Sequence, residues 1–545
     1  MNTYRPAAAS LVETLKANNI RHLFSLSGNQ ILSIYDACLE QGLDLIHVRH
    51  EAAAVHMADA WGRLTETPGV ALVSAGPGHA NTLSALCVAT AAESPLVLLS
   101  GHCPEGRLGR GAFQEMAQSQ IAEPLAKASW TVTDPSCLRT ELKKAFSIAT
   151  EGRPGPVHLS LPVNVLESLV NVSDVTIPSE FVPQTQVLSE SSADEILELL
   201  SLARSPLILV GPAMMRPRGR KLTCDLRDIT HIPVVGMESP RGIADPCLGA
   251  FAEILTEADL ILLLGKKLDF SLSFGSQEVF SSTCRFLQID PELLALEQVA
   301  YSFKDSSRLK LAAQAETFSA AEQLVHIAKE RTWTQSGWSE EVRAAIQYRP
   351  LKWENLKSPK GSYLHPAEVC REIGCYLDES AVFVSDGGEF GQWAQACLET
   401  GTRVINGPSG AIGGSLPFAL AARLAYPSAR VVVTLGDGTF GFQAMEFDTA
   451  VRHQLPFVAV VGNDACWNAE KQQQLQRYGP NRQFGCNLLP TRYDRVVEAL
   501  GGHGEYVTSA LLLPEALERA FHSPLPACVN IRIQSIAAPV MQRTE

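Results

Sequence analysis

The stretch from Val431 to Asp464 constrains the fold more than any other part of this chain. A run of apolar residues from Val431 to Leu435 reads as a buried parallel strand, and Gly436-Asp437-Gly438 follows at once. A helical pattern from Phe442 to His453 and a second apolar strand, Pro456 to Val461, lead to Asn463-Asp464. Strand, turn, helix and strand make one βαβ unit. In such a unit the carboxyl ends of both strands lie on the same edge of the sheet, so Asp437 and Asp464 can meet in space. Two oxygen ligands beside a glycine turn and a helix N-terminus suit a hard divalent cation holding a diphosphate. Gly-Asp-Gly alone is also an ordinary turn. The frame that ends in Asn-Asp is the more specific signal.

The same alternation recurs along the chain. Short apolar strands (Val70 to Ser74, Leu96 to Ser100, Val157 to Leu161) follow a helical pattern at Ala8 to Asn18. A second set occupies Pro206 to Val210, Pro233 to Gly236, Leu260 to Leu264 and Phe286 to Ile289. Alternating strands and helices imply an α/β fold with doubly wound parallel sheets covered by helices on both faces. The expected domains are 1–168, 190–329 and 362–545. A Pro-, Ser-, Thr- and Gln-containing linker at 169–189 and a Trp- and charge-rich one at 330–361 separate them.

A chain of 545 residues, 46% hydrophobic, can fill several cores. Its net charge of −13 argues against general nucleic-acid binding. The 13 Cys show no paired spacing, and no secretory or membrane-spanning segment is evident, so a cytoplasmic protein with reduced thiols is expected.

Four further segments carry a resemblance. Residues 47–63 read HVRHEAAAVHMADAWGR, with Glu51 at the start of a helical stretch; residues 74–86 read SAGPGHANTLSAL; residues 109–115 read GRGAFQE; residues 405–425 read INGPSGAIGGSLPFALAARLA. Glu51 alone is what any helix N-terminus favours. Together with the 436–464 frame, these segments resemble the acetolactate-synthase-like group of thiamine-diphosphate (ThDP) enzymes, which includes benzaldehyde lyase and 2-hydroxyacyl-CoA lyase. The resemblance spans essentially the whole chain and implies three domains: pyrimidine-binding, central and diphosphate-binding.

The resemblance also implies roles. Glu51 would exchange a proton with the aminopyrimidine, beside Pro77 and Asn81. Ile412 would hold the cofactor bent, and the Gly410 carbonyl would accept from its amino group. Gly388, Gly436, Gly438 and Thr439 would complete the cofactor site. Mg2+ would be held by Asp437, Asp464 and the backbone carbonyl of Cys466. Asp464 stands where the group usually has Asn, which keeps an oxygen ligand and adds a charge. Asn29, Gln30, Phe113, Gln114 and Trp467 would face substrate, and Gln114 suits an intermediate because an amide donates and accepts without titrating. His79 would be either an acid/base group or a structural histidine. In this group Glu51 and the diphosphate site come from different subunits, implying a homodimer or homotetramer.

The expected reaction is decarboxylation of a 2-keto acid and transfer of the acyl-anion equivalent to an acceptor carbonyl. The alternatives are non-decarboxylating cleavage of a 2-hydroxy ketone or 2-hydroxyacyl thioester, and an inactive regulatory subunit of the same fold. The central segment lacks a G-x-G-x-x-G fingerprint and the glycine-rich loop of FAD-holding relatives, so no FAD is expected. Lys266, Lys267 and Arg285 read as ordinary cations rather than phosphate ligands.

Overall fold

The computed structural model describes residues 4–171, 186–303 and 307–543. Continuous apolar runs become strands buried on both faces, as parallel sheets require. Three such sheets form. The first runs Asp44–His47, His22–Ser25, Gly69–Val73, Leu96–His102, Pro156–Pro162, Ala128–Thr131, all parallel. The central sheet runs Val234–Gly236, Pro206–Val210, Leu260–Leu264, Arg285–Asp290, Leu309–Gln314. The third runs Thr402–Ile405, Val382–Ser385, Val431–Gly436, Val458–Asn463, Ala527–Arg532, His503–Val507. Numbered within each unit, the first and third sheets share the order 2-1-3-4-6-5. Each therefore has a topological switch point between its first and third strands, where such sheets open a crevice at their carboxyl ends.

The first and third units pack on one another through a continuous apolar core that runs from Phe24 and Met57 to Phe418 and Val433. Its centre is the helix Glu51–Thr65 lying against the helix Ser415–Ala425. Small residues on the first helix, Ala53, Ala54 and Ala58, are fully buried and allow that close approach.

One expectation is corrected. The pattern read as one helix from Phe442 to His453 is two helices, Asp437–Gln443 and Glu446–Arg452, and the first begins five residues earlier. Asp437 is itself the first helical residue, where a carboxylate meets the positive end of the helix dipole. The stretch 330–361 packs against the central unit. It carries the helix Trp338–Gln347, whose Trp338, Val342 and Ala345 are buried in the central core, with Trp338 Nε1 donating to the Pro206 carbonyl at 2.8 Å. Of the linker expected at 169–189, residues 172–185 lie outside the described residues. No helix among the described residues is long and apolar enough to cross a membrane.

Candidate active site

The ladder between Val431–Gly436 and Val458–Asn463 pairs Gly436 with Gly462. Asp437 and Asp464 therefore leave the sheet on the same edge, and both line one cavity of about 330 Å3. The cavity sits over the third sheet's switch point. From the end of Val382–Ser385 come Gly387 and Gly388; Gly436, Gly438 and Thr439 come from the next strand and its helix. Gly410 and Ile412 enter from the loop after Thr402–Ile405, and Cys466 and Trp467 close the wall. Gly388 takes φ +85, and a Cβ there would meet nothing within 4 Å, so its backbone lies bare to the cavity. At Gly438 a Cβ would come within 2.7 Å of the Trp467 ring, so only glycine lets that indole in.

The electrostatics suit a cation. Asp437 is 2% exposed, and its Oδ2 has no hydrogen-bond partner. Burial, and then the charge of Asp464, push its carboxyl up to about 7. Burial also raises Asp464, which accepts from the backbone N–H and thiol of Cys466. Two carboxylates sharing a site, one buried with an orphaned oxygen and one half-buried, are a donor set that a divalent ion would satisfy. Among the described residues no group of three His, Cys, Asp or Glu side chains could hold a metal. Further ligands at this site would thus be backbone carbonyls, diphosphate oxygens and water. The loop is stiffly held: Ala465 takes φ +59, its carbonyl accepts from Leu488 N at 2.7 Å, and Trp467 N donates to Cys486 O at 2.7 Å.

A second cluster forms at the switch point of the first sheet. Asn81 Nδ2 donates to Glu51 Oε2 at 3.0 Å. Gln30 Nε2 donates to Gln114 Oε1 at 2.8 Å, and Ser74 Oγ donates to Gln30 Oε1 at 2.7 Å. Pro77 opens the short helix Pro77–Ala80 in the same turn. Asn29 and Phe113 are exposed, Phe113 by 73%. Among the described residues none from the first unit lines the third unit's cavity, so one chain keeps the two clusters apart.

His79 is not brought to either surface. It is fully buried, its Nδ1 is 2.9 Å from Ser100 Oγ, and its ring lies tilted against that of His158, centroids 4.5 Å apart. Burial lowers its pKa to about 4, which leaves a neutral core imidazole and favours the structural one of its two readings.

Sequence reasoning missed several residues. Asp386, 1% exposed, accepts from Gly387 N at 2.8 Å and from Gly413 N at 3.0 Å, tying the Gly388 turn to the loop that carries Ile412. Gln118 Oε1 accepts from Gly76 N at 2.7 Å and steadies the turn before Pro77. Glu446, 1% exposed, accepts from Arg49 N at 3.0 Å and Thr449 Oγ1 at 2.6 Å, so the third unit holds the backbone just before Glu51. Arg241 reaches the cavity from the central unit, and it opposes the burial that raises the Glu389 carboxyl. Lys266 and Lys267 pair with Asp269 and Glu292.

Residues 5–121 match the family described as the thiamine pyrophosphate enzyme N-terminal TPP binding domain, and residues 386–531 its C-terminal TPP binding domain. The chain belongs to the thiamine pyrophosphate enzymes and is itself a ThDP-dependent enzyme. Within that class it is 34% identical over 547 residues to the acetolactate synthase large subunit IlvG of Mycobacterium tuberculosis, covering 98% of this chain and 97% of that protein. It is 30% identical over 550 residues to 2-hydroxyacyl-CoA lyase 2 of Homo sapiens, covering 92% and 85%.

Two predictions follow from the buried acids. Asp437 holds a proton in the folded state between its unfolded value of 3.8 and about 7, so ThDP-free stability falls as pH rises through that window. Asp464→Asn should therefore raise the ThDP-free Tm at pH 8 by about 1–3 °C and much less at pH 5.5, read by scanning fluorimetry. Equal gains at both pH values would refute the like-charge account. Burial likewise pushes the Glu446 carboxyl to about 7 from 4.5, so its contribution to stability also declines as pH rises from 4.5 to 7. Glu446→Gln should flatten that decline, with the wild type losing ground to the variant between pH 5.5 and 8.

Proposed function

We propose that this protein is a ThDP- and Mg2+-dependent C–C lyase and carboligase that decarboxylates a 2-keto acid and passes the acyl-anion equivalent to an acceptor carbonyl. The observation that carries it is the meeting of Asp437 and Asp464 at the sheet's switch point, with the Asp437 oxygen left without a partner. Asp437, Asp464 and the Cys466 carbonyl would hold Mg2+, and the backbone of Gly388, Gly436, Gly438 and Thr439 would take the diphosphate. Ile412 and Gly410 would seat the rest of the cofactor, on a loop that Asp386 fixes.

ThDP supplies a nucleophilic carbon that adds to a carbonyl and stabilises the negative charge left when a carbon–carbon bond breaks. The chain's own residues manage protons and access. Glu51 gives and takes the cofactor's ring proton, and Asn81 orients its carboxylate through Oε2. The linked amides of Gln30 and Gln114 present donors and acceptors that do not titrate, which suits a substrate oxygen. Trp467 walls the pocket. Because Glu51 and the cavity stand apart in one chain, a second copy would bring its Glu51 to the first copy's cavity, giving a homodimer or a homotetramer.

The relative named as an acetolactate synthase matches nearly end to end, which supports the decarboxylating reading. The similarity to 2-hydroxyacyl-CoA lyase 2 supports a second one, cleavage of a 2-hydroxyacyl thioester without decarboxylation. A central unit without FAD is supported by its own crevice: Arg153 bonds there to Asp290 at 2.6 Å, and Ala213 N donates to Glu93 at 2.9 Å.

Glu51→Gln should lower turnover by about 100-fold or more while the protein stays folded and still binds ThDP by calorimetry. Full turnover by the folded variant would sink the assignment. Supplying pyruvate with ThDP and Mg2+ should release CO2 and yield a coupled product by mass spectrometry. Cleavage of 2-hydroxyacyl thioesters with no CO2 from any 2-keto acid would instead select the second reading.

A further inference from the structure

A second cavity, of about 30 Å3, lies where the three units meet. Arg63 reaches it from the first unit, Arg216 and Arg220 from the start of the central helix Pro217–Thr230, and Arg403 from the third sheet. Two of these guanidiniums are neutralised. Arg63 is paired bidentately with Asp59 at 2.7 and 2.5 Å, and Arg403 binds Glu238 at 2.7 Å and Asp245 at 3.1 Å. The other two are not. Arg216 is 5% exposed, donates only to the carbonyls of Glu93 and Ala92, and leaves its Nε without a partner. Arg220 donates only to the carbonyls of Met215 and Gly401. The Glu93 carboxylate nearby is already engaged by Arg153 and by Ala213 N.

A buried guanidinium with no carboxylate is costly unless a counter-charge joins it. Burial lowers the Arg216 pKa only to about 10, so it stays charged at neutral pH. The charge is therefore present and buried, lacks one acceptor, and has no carboxylate in hydrogen-bond contact, with Glu93, Asp59 and Glu66 acting on it only at longer range.

We propose that this cavity is a binding site for one small oxyanion of the phosphate class, held by Arg216 and Arg220. Its size decides between ligands. About 30 Å3 holds two or three waters or one small ion, and no nucleoside. Guanidinium forks match the oxygens of such an anion. The site also has a place in the enzyme, because Gly407 and Pro408 line it. Those residues open the loop that carries Gly410 and Ile412, so a bound anion braces the cofactor loop from behind. None of this depends on which carbonyl substrate the enzyme takes.

The test is calorimetric titration of inorganic phosphate into the full-length protein saturated with ThDP and Mg2+, at constant ionic strength. One phosphate per chain is expected, with sodium chloride giving no comparable heat. Arg216→Met and Arg220→Gln should each weaken binding by about 10-fold or more. Arg220 is only half-buried, so its variant keeps the test alive if Arg216→Met fails to fold. Absence of binding, or binding unchanged in Arg220→Gln, would overturn the proposal. So would phosphate binding that is lost in Asp437→Asn but kept in Arg220→Gln, which would put the anion in the diphosphate cavity. Equal affinity for adenosine monophosphate would also overturn it, since this cavity has no room for a nucleoside.

Discussion

Like charges held together in a buried place must be held by something stronger than their repulsion. Here that something is the parallel ladder that pairs Gly436 with Gly462 and fixes where Asp437 and Asp464 emerge. The loop after Asp464 is pinned by backbone bonds from Leu488 and to Cys486. Asp386 makes the contrast. It is as buried as Asp437, yet its oxygens accept from three backbone N–H groups, those of Gly387, Gly413 and Ser415. A carboxylate so well supplied with donors is a clamp. A carboxylate with an orphaned oxygen facing another acid has a free lone pair and a charge that a cation would satisfy.

The strands of this fold were legible because parallel sheets bury both faces, which turns each strand into an uninterrupted apolar run. Pro206–Val210 and Leu260–Leu264 fall where the sequence puts them. Helix starts were less legible. Asp437 reads as a turn residue, and only the packing of its helix over the strand end makes it the first helical position. The same division applies to the site. Residues inside a compact motif, such as Asp437, Gly438 and Asp464, announce themselves by spacing. Asp386 and Glu446 do not, because their partners are 27 and 397 positions away in sequence. His79 stayed open between two roles for a related reason. Its neighbours in the glycine turn suggest a site, whereas Ser100 and His158, which pack against it in the core, come from distant strands.

The helix Glu51–Thr65 ties these parts together. Its N-terminus carries Glu51, whose approach is fixed by Glu446 of the third unit through Arg49. Near its other end Arg63 donates to the Ile405 carbonyl at 2.7 Å, at the root of the loop that presents Gly410 and Ile412. Fifteen residues of helix, about 22 Å long, thus join Glu51 to the loop of Gly410 and Ile412 in the same chain. On the two-copy reading, Glu51 serves the partner's cavity while Arg63 braces its own. A shift at either end of this rod must then reach both cavities, since its middle is packed against the helix Ser415–Ala425 with no exposed face to yield. The buried alanines that allow that packing therefore set the positions of Glu51 at one end and Arg63 near the other.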